Sequence, residues 1–86
     1  MFYVYILYSK KLDTYYVGST SQTVTQRLQK HLSNHAGYTS KAKDWEIVYC
    51  EEYSLKTVAL KRENEIKRWK SKIKIKFLID GLSRPD

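Results

Sequence analysis

YVYILYSKKLDTYYVGSTSQTVTQRLQKH, residues 3–31, decides the fold. It opens on Tyr3-Val4-Tyr5, runs ten residues, and returns as Tyr16-Val17-Gly18-Ser19-Thr20, with Arg27 and His31 following four apart. Phe2 to Tyr8 is wholly β-branched, aromatic or leucine, the composition of a strand buried on both faces. Ser9-Lys10-Lys11-Leu12-Asp13 breaks it and Thr14 to Ser19 resumes it, so the two runs predict an antiparallel hairpin. If the connection is symmetric about Lys10 and Lys11, Tyr5 lies opposite Tyr16 and both rings share a face. Gly18 marks a point of close approach or backbone freedom.

Working outward, Thr20, Ser21 and Thr23 offer N-caps to a helix reaching about Ser33. Val24, Leu28 and Leu32 form its inward stripe, with Arg27 and His31 neighbours at the edge. Asn34 to Asp44 is loop-like, and Trp45 to Tyr53 is strand-like again. From Ser54, a candidate cap, the pattern is helical, with Ala59, Ile66, Ile73 and Phe77 on one stripe at about 100° per residue. Lys70 and Ser71 predict a bend, and a last helix from Ser71 to Asp80 stops at Gly81. Glu63 falls inside the apolar stripe, whereas Glu65 points to solvent. An inward carboxylate is costly unless paired or bound to metal; a simple pair with Lys67 is the structural alternative.

The 86 residues make a single domain, 1–86, with a thin core but ample apolar content at 42% and two Trp, eight Tyr and two Phe. Sixteen basic against nine acidic residues give +7, and eight of the cations lie between Lys61 and Lys76. Such a concentration is the footprint of a polyanion. No broad apolar helix face accompanies it, which argues against a membrane surface. Arg62, Lys67, Arg68, Lys70, Lys72 and Lys74 are the expected nucleic-acid contacts. Lys41 and Lys43 of the loop, with Tyr38, either join them or are merely solvated. The lone Cys50 excludes an internal disulfide and reads as a buried, inert thiol. No apolar run approaches a membrane span and no signal peptide is visible, so a cytoplasmic protein is expected. His31 and His35 stand four apart, but no further ligands complete a zinc site.

Taken together, these motifs resemble the GIY-YIG nuclease superfamily, and among its branches the small stand-alone bacterial members related to the N-terminal nuclease module of the excinuclease C subunit. Tyr3-Val4-Tyr5 matches the first motif and Tyr16-Val17-Gly18 the second. Arg27, His31, Gly37-Tyr38-Thr39-Ser40, Ala59-Leu60-Lys61-Arg62-Glu63 and Ile66-Lys67-Trp69 follow in order. Tyr3 stands where the first motif is named for glycine, and Ser71 to Lys76 lacks an asparagine that some members carry.

The resemblance implies an α+β fold, a three-stranded antiparallel sheet flanked by helices. It further implies metal-dependent hydrolysis of phosphodiester bonds in nucleic acid, DNA before RNA, in a setting such as DNA repair. Tyr5, Tyr16, Arg27 and His31 would then be catalytic and Glu63 the metal ligand. A single inward carboxylate suits one Mg²⁺ or Mn²⁺, which keeps several waters and takes substrate oxygen. Arg27 can hold charge growing on the phosphate. Tyr5 or Tyr16 is the expected base, its pKa lowered by Arg27, His31 and metal; His31 is either its helper or a bystander. The alternative is a binding module of the same fold with weak or no catalysis.

Overall fold

The computed structural model describes residues 1–33 and 37–81. Three strands, β1 (Phe2–Ser9), β2 (Thr14–Thr20) and β3 (Glu46–Tyr53), form an antiparallel sheet in the order β2-β1-β3. Helix α1 (Val24–Ser33) follows β2, a 3-10 turn (Tyr38–Lys41) precedes β3, and α2 (Lys56–Trp69) and α3 (Lys72–Asp80) close the described chain. No helix among the described residues is long and apolar enough to cross a membrane.

The central strand β1 is buried on both faces, as its unbroken apolar composition predicts. Val4 and Ile6 join Val17, Ala59, Ile66 and Ile75 in a core under α2 and α3. Tyr5 and Leu7 join Ala42 and Trp45 on the other face, where Val24, Leu28 and Leu32 of α1 cover them. Truncating a side chain such as Ile66 to alanine should therefore cost about 2–5 kcal/mol.

The hairpin register differs from the symmetric expectation. Tyr5 pairs with Gly18 and Leu7 with Tyr16, a displacement of two residues. Ser9-Lys10-Lys11-Leu12-Asp13 absorbs it: Asp13 adopts a left-handed conformation (φ 50°), and Ser9 Oγ accepts from Leu12 N while donating to Asp44. Because side chains alternate with period two, a two-residue displacement keeps Tyr5 and Tyr16 on one face. They become diagonal neighbours.

Thr23 caps α1 through a reciprocal pair: Gln26 N donates to Thr23 Oγ1 and Thr23 N to Gln26 Oε1. The expected Ser54 cap does not form, and Leu55 occupies the N-cap of α2 without a side-chain bond. The bend falls where expected. Lys70 is left-handed (φ 48°), Ser71 Oγ caps α3 by accepting from Lys74 N, and Gly81 (φ 70°) ends it. That bend resets the helical phase, so Ile75 is buried while Ile73 and Phe77, placed on a continuous stripe by sequence, are 68% and 47% exposed. Cys50 is exposed on edge strand β3, not buried. Partial desolvation, then Glu52 and Glu51, push its thiol pKa up, which keeps it a poor nucleophile.

Candidate active site at the β2 edge

Strand β2 is an edge, and residues from both faces of the sheet meet beside it. On the α1 face stand Tyr5, Tyr16 and His31; on the α2 face Ser19 carries Glu63. Gly18 lets the first group approach. The Tyr5 ring lies directly across it, and a Cβ there would fall 2.6 Å from Tyr5 Cζ. A tight contact, not a turn, is the reason for this glycine.

His31, placed at the edge of α1 by sequence, is buried. Its Nε2 is 2.8 Å from Tyr5 Oη and its Nδ1 is 2.9 Å from Thr39 Oγ1. Thr39 is buried too, and its carbonyl accepts from Trp45 Nε1 at 2.9 Å. The loop preceding β3 therefore turns inward to hold the imidazole. Both ring nitrogens have hydrogen-bond partners, and the ring is buried rather than partly exposed; His35 lies outside the described residues. Burial, followed by the Arg27 charge, lowers the His31 pKa below 6.5. The neutral imidazole has one donor and one acceptor nitrogen. With Nδ1–H donating to Thr39, Nε2 accepts the Tyr5 hydroxyl proton, a tautomer assigned from the hydrogen-bond pattern.

Without a metal, the pKa of the Tyr5 phenol responds first to burial. Burial dominates and raises it above 10.0, while Arg27 pulls the other way; Tyr16 and Glu63 add to the rise. The same influences place Arg27, Tyr16 and Glu63 within electrostatic reach of the phenol. Tyr16 is held through its ring, edge-on to His31 at 5.0 Å and stacked on Tyr38 at 6.3 Å.

Glu63 is half-buried as the helical wheel predicts, its side chain 14% exposed against 54% for Glu65. Ser19 Oγ donates to Oε1 at 2.5 Å and Lys67 Nζ lies 2.6 Å from Oε2. The inward position and the Lys67 pair, read as alternatives in the sequence, coexist. Among the described residues no three of His, Cys, Asp and Glu gather. The donor set, one carboxylate oxygen flanked by a hydroxyl, suits a hard cation that brings its own waters. It does not suit a two-metal site.

A cavity of about 420 Å³ opens where the ends of β1 and β2 meet α1 and α2, lined by Ser19, Thr20, Arg27 and Lys56. Lys30 adjoins Arg27 and His31 on the other side. Neither lysine was marked by the sequence, because isolated cations in helices carry no local signal. Ser19 and Thr39 stand within their sequence motifs, but no role was assigned to them because their partners lie 44 and 8 residues away.

The basic run does not form one surface. Lys67 and Lys70 line a groove with Tyr16 and Tyr38 on the β2 side. Arg62 goes to the β3 side, where two acids engage it. Its Nε and Nη2 donate to the two oxygens of Glu51 at 2.9 and 3.1 Å, and it also pairs with Glu65. Lys74 lies near it, beside Trp69 and Phe77. Lys72 pairs with Asp13 at 2.9 Å on the open surface, where water and salt screen the contact. Arg68, Lys41 and Lys43 are exposed, and Lys41 Nζ sits 4.9 Å from the Tyr38 ring centre.

A family model described as the GIY-YIG catalytic domain matches residues 1–76. A UPF0213 protein of Staphylococcus epidermidis is 39% identical over 62 residues, 71% of this chain and 76% of its own. Another UPF0213 protein, from Staphylococcus saprophyticus, is 34% identical over 80 residues, covering 92% and 95% respectively. No solved structure matches the chain significantly.

Proposed function

The chain belongs to the GIY-YIG family, a family of nuclease-type domains, and from that premise we propose that it is an endonuclease. In this reading it hydrolyses phosphodiester bonds, in DNA before RNA, with one divalent ion. The observation that carries the proposal is the hydrogen-bonded chain Thr39–His31–Tyr5 ending beside Arg27 and within reach of Glu63. A purely binding surface needs cations and stacking rings, not a buried imidazole aimed at a phenol.

Glu63, oriented by Ser19, would hold the Mg²⁺ or Mn²⁺, displacing the Lys67 ammonium from its carboxylate. When bound, the ion supplies Lewis-acid stabilisation of charge on the phosphate and the leaving oxygen. Arg27 and Lys56 face the same cavity and carry the phosphate. Tyr5 is the residue that accepts the proton of the attacking water. Its own raised pKa disfavours a standing phenolate, so its hydroxyl proton passes on to His31 Nε2 as the water proton arrives. The resulting imidazolium donates at both nitrogens, to Thr39 and Tyr5, whose oxygens are already positioned. Tyr16, wedged between His31 and Tyr38, orients rather than relays.

Two measurements test this. In a panel of single-stranded, duplex, branched and damaged DNA and of RNA, with and without Mg²⁺ or Mn²⁺, Glu63→Gln should abolish cleavage and Glu65→Gln should not. Binding without cleavage by the unaltered chain on every substrate would leave only the binding module. The pH–rate profile should rise on the acid side of 6.5, as His31 becomes neutral, and stay flat across neutrality. A rate still climbing tenfold per unit at pH 9 would replace the relay with a phenolate base.

A further inference from the structure

Tyr38 is a large aromatic left 44% exposed beside the proposed reaction centre, and its surroundings fix it there. Gly37, at φ 88° and ψ 179°, takes a conformation open essentially to glycine alone and starts the 3-10 turn. Ser40 N and Oγ both return to the Gly37 carbonyl. Thr39, next in the chain, is anchored to His31 and Trp45. The ring itself lies 17° from parallel with Tyr16 and 6.1 Å from Trp45. Exposed side chains of this size are ordinarily mobile; here the backbone beneath is held on three sides.

The groove under the ring, about 300 Å³, runs along the β2 edge to Ile66 and Ile75 with Lys67 and Lys70 at its rim. Flat π-surface, apolar floor and a positive rim together match a nucleotide: base against ring, phosphate against ammonium. They match a paired base poorly, because its face is already covered by its neighbours in the duplex. We propose that Tyr38 is a stacking platform for one unpaired nucleobase, and that the enzyme therefore engages a strand whose base next to the cleaved bond is unstacked. Lys41, now over the Tyr38 ring, makes the weaker contact of the two. A base takes the ring face and releases the lysine to the backbone. The consequence for cleavage rests on the nuclease reading; the binding of the base does not.

The experiment separates the two. In Glu63→Gln protein without divalent metal, anisotropy would compare a short fluorescent oligothymidine, the same length of abasic strand, and a duplex. The unaltered Tyr38 should favour oligothymidine over the abasic strand by about tenfold, the usual worth of one base–aromatic stack. Tyr38→Leu should remove that preference and leave abasic affinity unchanged, while Tyr38→Phe should retain it. Quenching of Trp45 fluorescence should accompany oligothymidine alone. Equal losses on both strands in Tyr38→Leu, or no loss on either, would overturn the platform. A retained preference in a protein that never cleaves would instead overturn the nuclease reading and leave the platform standing.

Discussion

Tyr5 and Tyr16 are the same residue type on the same face of one hairpin, yet their surroundings differ in kind. Tyr5 Oη is aimed at a buried nitrogen, while Tyr16 is clasped by aromatic rings. Phenylalanine at either position keeps the packing and removes only the hydroxyl. Tyr5→Phe should lose on the order of 10²–10⁴ in cleavage rate and Tyr16→Phe much less, in single-turnover assays; equal losses would remove the distinction drawn between them. Gly18→Ala offers a second test through geometry alone. Its Cβ would meet the Tyr5 ring tip, which must then leave either Gly18 or His31. Stability should fall by about 1–3 kcal/mol in a denaturant melt, and cleavage should fall with it although no polar group has been changed.

The joint between β3 and α2 rests on one carboxylate. Glu51 accepts from Tyr49 Oη at 2.5 Å, from Tyr53 Oη at 2.6 Å and from Nε and Nη2 of Arg62. Four donors on two oxygens leave nothing unpaired, and Arg62 also covers the Trp69 ring. Burial alone would raise the Glu51 pKa; the Arg62 guanidinium and then the two phenols outweigh it and hold it below 4.5. Tyr49 is correspondingly pushed up to about 12 by burial and by Glu51. Because the folded carboxyl titrates below the unfolded one, its contribution is fully present above about pH 4.5 and is lost as pH falls through the folded value. Thermal melts should therefore drop in temperature below pH 4.5 for the unaltered protein and drop less for Glu51→Gln, which starts lower. Parallel curves would show that the joint takes its strength from packing rather than charge.

A net charge of +7 on 86 residues gives this small molecule a field that attracts any polyanion, but tertiary structure divides the cations. Lys30, Lys56, Lys67 and Lys70 border the β2-edge site with Arg27, and Arg62 is bound up with Glu51 and Glu65. Neutralising about five phosphates should make log K fall against log salt with a slope near −4 on duplex DNA. Lys70→Gln should reduce that slope by about 1, whereas Arg62→Gln should destabilise the fold and leave the slope unchanged. A slope that Arg62→Gln lowers and Lys70→Gln does not would put the nucleic acid on the β3 side.

Much of this protein is legible along the chain because its signals are local. An unbroken β-rich run makes a doubly buried strand, and Thr23, one of three candidate caps, starts a helix. The phase of Glu63 relative to Ala59 and Ile66 puts that carboxylate inward and Glu65 outward. Parity along a strand likewise put Tyr5 and Tyr16 on one face, even though the register was displaced by two. What needed the folded molecule were contacts between residues far apart in sequence. The displaced register goes with a connection that Asp44 holds from across the chain, and the inward turn of the loop with Thr39 meeting His31. The change of helical phase at Lys70 came from a left-handed residue that no glycine announces. Arg62 looked like every other cation of its run until Glu51 came across from β3. In the metal-free chain the Tyr5 pKa rises because burial, a property of the whole packed structure, outweighs the Arg27 charge beside it. Sequence spacing fixes which faces side chains share; only packing sets how deeply they are buried and which distant partner satisfies them.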